Sequence, residues 1–115
     1  MRNQRFLWGG VFVTARTMEA GEIIARHRHE VMHEVMVVAG AAEIEIWSYK
    51  RPRQIRTLTP ESGSTELLAF ADHEVRAIED ETIVISAISA TAAEIEGANA
   101  VGGRPIEPPA RRQRR

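Results

Sequence analysis

Short runs of alternating apolar and polar residues, separated by turn residues, constrain the fold of this 115-residue chain more than any other feature. In residues 42–48, Ile44 and Ile46 share one face of an extended strand, and Glu43 and Glu45 share the other. Similar runs, rich in β-branched residues, begin near residues 11, 22, 35, 54, 65, 74 and 82. Turn residues recur between them at roughly 8–12-residue spacing, which predicts an all-β domain of two packed antiparallel sheets.

The length and the residue usage narrow the possibilities further. A chain of 115 residues fits one domain and can bury a core without help from disulfides. It contains no cysteine, which excludes a disulfide framework, a thiolate site and a cysteine-ligated zinc. Any metal site must therefore use histidine, aspartate or glutamate side chains.

The charge distribution separates a body from a tail. We assign residues 1–91 to the β-domain and residues 92–115 to an irregular tail rich in proline and arginine, with one short helical turn expected at residues 91–97. Residues 1–103 carry 10 basic and 15 acidic side chains, a net charge of −5, whereas the last twelve residues hold five arginines and one glutamate. The tail is therefore expected to meet an acidic partner, either a nucleic acid or a neighbouring copy of the chain.

No part of the sequence predicts contact with a membrane. No apolar run approaches the roughly 18 residues that span a bilayer. The N-terminal residues lack the apolar stretch of a signal peptide. We expect a soluble protein that is cytoplasmic or otherwise intracellular, within a larger particle if the chain is an assembly component.

Three of the four histidines fall between residues 27 and 33. Because alternate residues of a strand point to the same side, His27 and His29 should project together, along with Ile23 and Ala25. The residues that alternate with these histidines are arginines, which should face water. Two neutral imidazoles on one wall form half of a common divalent-metal site.

A third ligand should come from the next strand, where Glu34 and His33 compete because adjacent residues face opposite sides. Both faces of that strand are apolar, so the periodicity leaves both residues open as candidates. The fourth histidine, His73, shares a strand face with Val75 and Ala77 and therefore also points with apolar residues.

Residues 21–40 read GEIIARHRHEVMHEVMVVAG. This stretch resembles the first motif of the cupin superfamily, which runs glycine, five residues, His-x-His, three or four residues, glutamate, six residues, glycine. Placing Glu34 at the glutamate position keeps the usual ligand type, whereas placing His33 there keeps the usual total span. Gly63 and His73 resemble the second cupin motif less closely, and the whole resemblance covers roughly residues 9–90.

The resemblance implies a single-domain cupin-type double-stranded β-helix, also called a jelly roll, with a ligand site in its open mouth. It also implies one divalent metal ion, which could be Mn, Fe, Ni, Co or Zn. The implied metal ligands are His27, His29, Glu34 and His73, with His33 as the alternative to Glu34.

Two functions are compatible with this sequence. The first is a metal-dependent enzyme of the dioxygenase, isomerase or lyase type that acts on a small molecule. In that case Glu34 or His33, whichever does not bind the metal, would serve as the general base. The second is a structural or assembly module in a larger complex such as a virion, with the basic tail docked on a neighbouring subunit. Both functions are compatible with a homo-oligomer.

Overall fold

The computed structural model describes residues 1–89 and Thr91, and the regular elements of this part of the chain are nine β-strands. The strands are β1 (Arg2–Trp8), β2 (Val11–Met18), β3 (Ile23–His27), β4 (His33–Ala39), β5 (Ala42–Trp47), β6 (Gln54–Leu58), β7 (Thr65–Leu67), β8 (Asp72–Ala77) and β9 (Thr82–Ser89). The all-β class predicted from the alternation is confirmed. The predictions for the tail, residues 92–115, lie outside the described residues.

The strands form two antiparallel sheets that pack face to face as a jelly roll. The five-stranded sheet has the order β1-β2-β9-β4-β7, and the four-stranded sheet has the order β3-β8-β5-β6. The chain crosses between the sheets several times, so strands that are distant in sequence become neighbours. No helix in the described part of the chain could cross a bilayer.

The core between the sheets follows the predicted alternation most clearly in β5. Ala42, Ile44 and Ile46 are buried, whereas the glutamates between them point away from the core. Strand β8 lies antiparallel to β5 and places Val75 opposite Ile44. Burial of each large apolar side chain stabilises the fold by about 1.5–3 kcal/mol. The core cluster consists of Met18, Val35, Val37, Ala42, Ile44, Ile46, Leu58, Leu67, Ala71, Val75, Ala77 and Val84.

Strand β1 is not among the strands predicted from the sequence, because its residues, RNQRFLW, do not alternate between apolar and polar. Among the described strands it pairs along its whole length with β2 alone, so it is an edge strand of the described sheet. The two strands are joined by Gly9 and Gly10, which have positive φ angles of 57° and 79°. A two-residue Gly-Gly turn with this geometry closes a tight hairpin, so this dipeptide was the sequence signal for β1.

Strand β3 contains a β-bulge just before its histidine. Ile24 pairs with Val75, and the next recorded pair joins His27 to His73. Strand β3 thus advances three residues where β8 advances two, which inserts one extra residue into β3. A bulge of this kind shifts the inward and outward alternation by one position.

The bulge overturns part of the predicted face assignment. Ile23 and Ala25 were expected to share the face of His27, but both are exposed, and Ile24 packs against the core instead. Because of the extra residue, Ile24 and His27 both point inward although they are three positions apart. The expectation that His27 faces inward is therefore correct, but not for the reason that strict alternation supplied.

A tight contact closes the end of the sandwich where β4 turns into β5. Gly40 has a φ of 79°, and a Cβ atom there would overlap the side-chain oxygen of Thr82 and lie 2.9 Å from its Cα. The Thr82 hydroxyl accepts a hydrogen bond from the N–H of Ala41 at 3.2 Å and donates one to the carbonyl of Glu79 at 2.7 Å. This turn therefore requires glycine for both its conformation and its space.

Candidate metal centre

The four histidines of the chain meet at the end of the sandwich opposite this turn. His27 ends β3, His29 follows it in the loop, His33 begins β4, and His73 lies on β8. The ring centroids of His27 and His73 are 4.2 Å apart, as are those of His29 and His33, and those of His33 and His73 are 5.1 Å apart. Three of the residues are buried, and His29 is half-buried.

Three of these histidines have the spacing that one metal ion needs. One nitrogen from each of His27, His29 and His73 lies within 4.8 Å of the others. Two nitrogens bound to one ion at about 2.1 Å lie at most about 4.2 Å apart. Small side-chain movements would therefore bring all three nitrogens to bonding distance of a shared ion.

The two residues that compete for the third position are placed on opposite sides of β4. His33 is only 3% exposed and points inward with Val35 and Val37, which belong to the core. Glu34 is exposed on the outer face, where its neighbours in the sheet are Ala87 and Glu66. The fold thus brings His33 to the other histidines, and it does not bring Glu34, the first choice from the sequence.

Backbone carbonyls orient two of the imidazoles. The Nδ1 atom of His27 lies 2.7 Å from the carbonyl oxygen of Ala25, and that of His73 lies 3.3 Å from the carbonyl oxygen of Ala71. Because a carbonyl only accepts hydrogen bonds, Nδ1 must carry the proton in both rings. The lone pair then resides on Nε2, which is the arrangement that metal-binding histidines commonly show.

His33 is the clearest anomaly in the interior. Both of its ring nitrogens are buried, and neither has a well-formed hydrogen bond among the described residues, although the nearby backbone of Val31 slightly opposes the lowering of its pKa. A buried polar atom without a partner costs about 1–3 kcal/mol, so folded proteins rarely leave one without a reason. A metal ion at the centre of the cluster would supply a partner for one of these nitrogens, so the donor set fits a divalent metal.

Burial keeps the cluster in the form that binds metals. It lowers the pKa of His27 to about 4, an effect that the charge of His29 reinforces and the hydrogen bond to Ala25 opposes. Burial likewise lowers the pKa of His33 to about 3, and it holds the pKa of His73 well below its usual range. At neutral pH these three imidazoles are therefore uncharged, and their nitrogens need not lose a proton before they bind a cation.

A carboxylate outside the cluster holds β3 against β8. Asp72 precedes His73 and accepts hydrogen bonds from Nε of Arg26 at 2.9 Å and Nε of Arg28 at 2.8 Å. The guanidinium of Arg26 also lies 3.9 Å from the ring centroid of Trp47 on β5. These two arginines flank His27 at the end of β3. We call Asp72 with Arg26 and Arg28 the clamp, because their contacts fix the relative position of the histidines on β3 and β8. Sequence reasoning missed Asp72, because its partners lie 44 and 46 residues away.

Several solved structures share this arrangement of strands. KdgF from Halomonas sp. matches with a TM-score of 0.63 and 21% identity over 76% of each chain. Oxalate decarboxylase from Bacillus subtilis, whose Mn(II) centres have been characterised, matches with a TM-score of 0.62 and 16% identity over 70% of this chain. The oxalate decarboxylase from Lactobacillus farciminis matches with a TM-score of 0.62 and 15% identity over 69% of this chain.

This chain spans 21% and 23% of the two oxalate decarboxylases, respectively. No family model matches the sequence, and no curated protein matches it. KdgF and the oxalate decarboxylases are cupins, and at these identities the likeness of this chain to them concerns the fold alone. The expected cupin jelly roll is thereby confirmed, with a histidine cluster inside it that could hold a metal ion.

Proposed function

We propose that this chain, which has the fold of the cupin superfamily, binds one divalent metal ion through His27, His29, His33 and His73. The observation that carries the proposal is the convergence of every histidine of the chain at one end of the sandwich, where the buried nitrogens of His33 lack partners. Imidazole ligands suit Zn, Fe and Ni in particular among the expected metals.

We further propose that the bound ion serves reactions of the dioxygenase, isomerase or lyase type on a small molecule. A divalent ion supplies Lewis-acid or redox chemistry to a substrate that reaches it. His29 is the half-buried member of the cluster, so its ring is the one most accessible to such a molecule. Glu34 faces the outside of the five-stranded sheet, which argues against its role as a general base.

Metal analysis of the purified protein tests this proposal. We expect one divalent ion per chain after loading with Zn²⁺, Co²⁺ or Mn²⁺, and no retained ion in the double variant His27→Ala/His29→Ala. Circular dichroism should show that the variant is still folded, and Arg56→Ala, on the exposed surface of β6, is the control that should bind metal normally. Failure of the wild-type protein to bind any of these ions at micromolar concentration would refute the proposal.

Self-association is a second proposal, and it corresponds to the assembly function. The outer face of the five-stranded sheet carries a run of apolar side chains, of which Phe6 is 44% and Val38 is 45% exposed. Met36 pairs with Ile85 in the middle of this face, and both are half-buried. Apolar patches of this kind commonly mark protein–protein contacts.

Light scattering tests the second proposal. We expect the wild-type protein to form a dimer or a larger homo-oligomer, and Ile85→Lys to form monomers. Removal of residues 104–115 then tests whether the basic tail contributes by docking on an acidic neighbouring body. A monomeric wild-type protein at micromolar concentration would exclude the assembly function.

A further inference from the structure

One arginine points into the sandwich rather than into solvent. Arg16 on β2 pairs with Val84 on β9, and Val84 belongs to the buried core. Met18, two residues further along β2, is completely buried. Because alternate residues of a strand share a face, the half-buried side chain of Arg16 lies on the inner face of the five-stranded sheet.

The charge of Arg16 is not balanced by an acid. Among the described residues, no carboxylate forms an ion pair with Arg16, and the charge that acts on it is that of another cation, Arg5 on β1. Burial, together with the charge of Arg5, lowers the pKa of the Arg16 guanidinium. The charge of Arg16 in turn lowers the pKa of His27 on the opposite sheet, which places the arginine within electrostatic reach of the histidine cluster.

The histidine cluster does not supply the missing negative charge. Its described members are imidazoles, and the carboxylate next to His73, that of Asp72, is already bound by Arg26 and Arg28 on the outside. A divalent ion in the cluster would add two further positive charges. Partly buried charges that lack a counter-ion are costly, and an anion bound beside Arg16 would offset this cost.

Hydroxyl groups lie beside Arg16 on the same inner face. Thr14, two residues before Arg16, pairs with Ser86 on β9, and Ser86 pairs in turn with Val35 of the core. Both hydroxyl-bearing residues are half-buried and can donate hydrogen bonds to an anion held by the guanidinium. One guanidinium with two neutral donors balances a single negative charge, and its planar fork matches the two oxygens of a carboxylate.

We propose that the interior of this chain binds a small organic anion through a carboxylate, which is held by Arg16 next to the histidine cluster. The metal half of this site rests on the proposed function, whereas the Arg16 half does not. Arg5 contributes to the positive potential but lies exposed on the edge strand, so Arg16 is the residue that determines the specificity for a carboxylate.

Malonate is a suitable probe, because it is a small carboxylate that absorbs no visible light. We expect malonate to perturb the visible spectrum of the Co²⁺-loaded protein and to shift the NMR signal of the Arg16 Nε–H. Arg16→Leu should weaken malonate binding by about tenfold or more, the typical contribution of a charge-assisted hydrogen bond. Arg16→Lys should restore part of the loss, and Arg56→Leu, which removes an exposed arginine of β6, should change nothing.

The outcomes separate this inference from metal binding. If Arg16→Leu loads Co²⁺ normally and loses malonate, both proposals are supported. If the wild-type protein does not bind Co²⁺, the proposed function fails, but an Arg16-dependent NMR shift in the metal-free protein would still support the carboxylate site. Equal malonate affinity in Arg16→Leu and the wild-type protein, or in Arg16→Gln should the leucine variant not fold, would overturn the inference. Tighter binding of inorganic phosphate than of malonate would overturn the assignment to a carboxylate.

Discussion

The two ends of the sandwich are built from the same strands but have opposite chemistry. On β8, His73 at one end is followed two residues later by Val75, and on β4, His33 is followed in the same way by Val35. The valines pack among apolar side chains, whereas at the other end His33 and His73 take the inward positions of β4 and β8, beside Leu67 and Ile46. Packing explains the apolar end, but it gives no reason for the buried imidazoles.

The comparison shows that the histidine end, unlike the apolar end, lowers the stability of the fold. Ile44 and Val75 at the apolar end are at most 2% exposed and contribute through burial alone. At the histidine end, three uncharged rings are buried, and the nitrogens of His33 form no well-formed hydrogen bond within the described part of the chain. A site that weakens the fold while gathering four potential metal ligands is expected where function, rather than folding, determines the residues.

Acid should affect the histidine end most strongly. The unfolded histidines have a pKa near 6.5, whereas the pKa values of the folded His27 and His33 are about 4 and about 3. Below pH 6.5 the unfolded state therefore binds more protons than the folded state, and the free energy of unfolding falls by up to about 1.4 kcal/mol per pH unit for each histidine. Above pH 6.5 the histidines cause no such loss in the free energy of unfolding.

Urea unfolding of the metal-free protein between pH 7 and pH 5 measures this loss. This window lies above the titration of ordinary carboxylates, so the buried histidines dominate it. The variant His33→Leu should show a shallower decline than the wild-type protein. A free energy of unfolding that stays constant across the window would mean that these rings are not buried as uncharged groups.

A cavity at the apolar end should leave the metal site intact. Ile44→Ala is expected to lower the free energy of unfolding by about 2–5 kcal/mol, the usual cost of this truncation in a core. The affinity of the folded protein for a divalent ion should not change, because Ile44 lies on β5 opposite Val75, one inward position away from the histidines. Thermal unfolding and metal titration of the same variant test both expectations, and a parallel loss of metal affinity would show that the two ends are coupled.

At the histidine end, replacing a buried side chain should raise the free energy of unfolding instead of lowering it. His33→Leu replaces two buried nitrogens that lack partners by apolar atoms, so the metal-free variant should be more stable by about 1–3 kcal/mol. Glu34→Gln alters the neighbouring exposed residue and should change stability by less than about 0.5 kcal/mol. Urea unfolding without metal compares the three proteins, and a destabilised His33→Leu would indicate that the ring has a structural role.

Loss of the contacts between Asp72 and the two arginines, Arg26 and Arg28, should have the smallest effect, and the quantity affected should be the affinity for the metal. Asp72→Asn removes the charge that holds Arg26 and Arg28 and should lower metal affinity by about tenfold, as is typical for residues that position ligands. Glu45→Gln removes a carboxylate from another surface ion pair, with Arg53, and should have no such effect. Metal titration of both variants tests this, and equal affinities would leave the clamp without a role in the site.

The sequence predicted the fold wherever one strand face is apolar and the other is charged. In β5, the glutamates between Ile44 and Ile46 made the inner face unambiguous, and the structure agrees. In β4 both faces are apolar, so only the sandwich itself shows that His33 points inward and Glu34 outward. Strand β1 has no alternation, because an edge strand outside the core has no apolar face to bury.

The geometry of the histidine site depends on contacts between residues that are distant in the sequence, and no local sequence pattern predicts such contacts. The bulge in β3 appears only when Ile24 and His27 are matched to their partners on β8. Asp72 and Arg16 have charged or polar neighbours far away in the sequence, and in isolation each resembles an ordinary surface residue. The gathering of histidines could be predicted from the sequence, whereas the interactions that orient them could not.

The most direct test of the central claim is a Zn²⁺ titration of the wild-type protein, His33→Leu and Glu34→Gln under the same conditions. We predict one high-affinity site in the wild-type protein, the same affinity in Glu34→Gln, and a loss of about 100-fold or more in His33→Leu, since even residues that only position a ligand contribute about 10–100-fold. A loss of affinity in Glu34→Gln with normal binding by His33→Leu would contradict this assignment of the site.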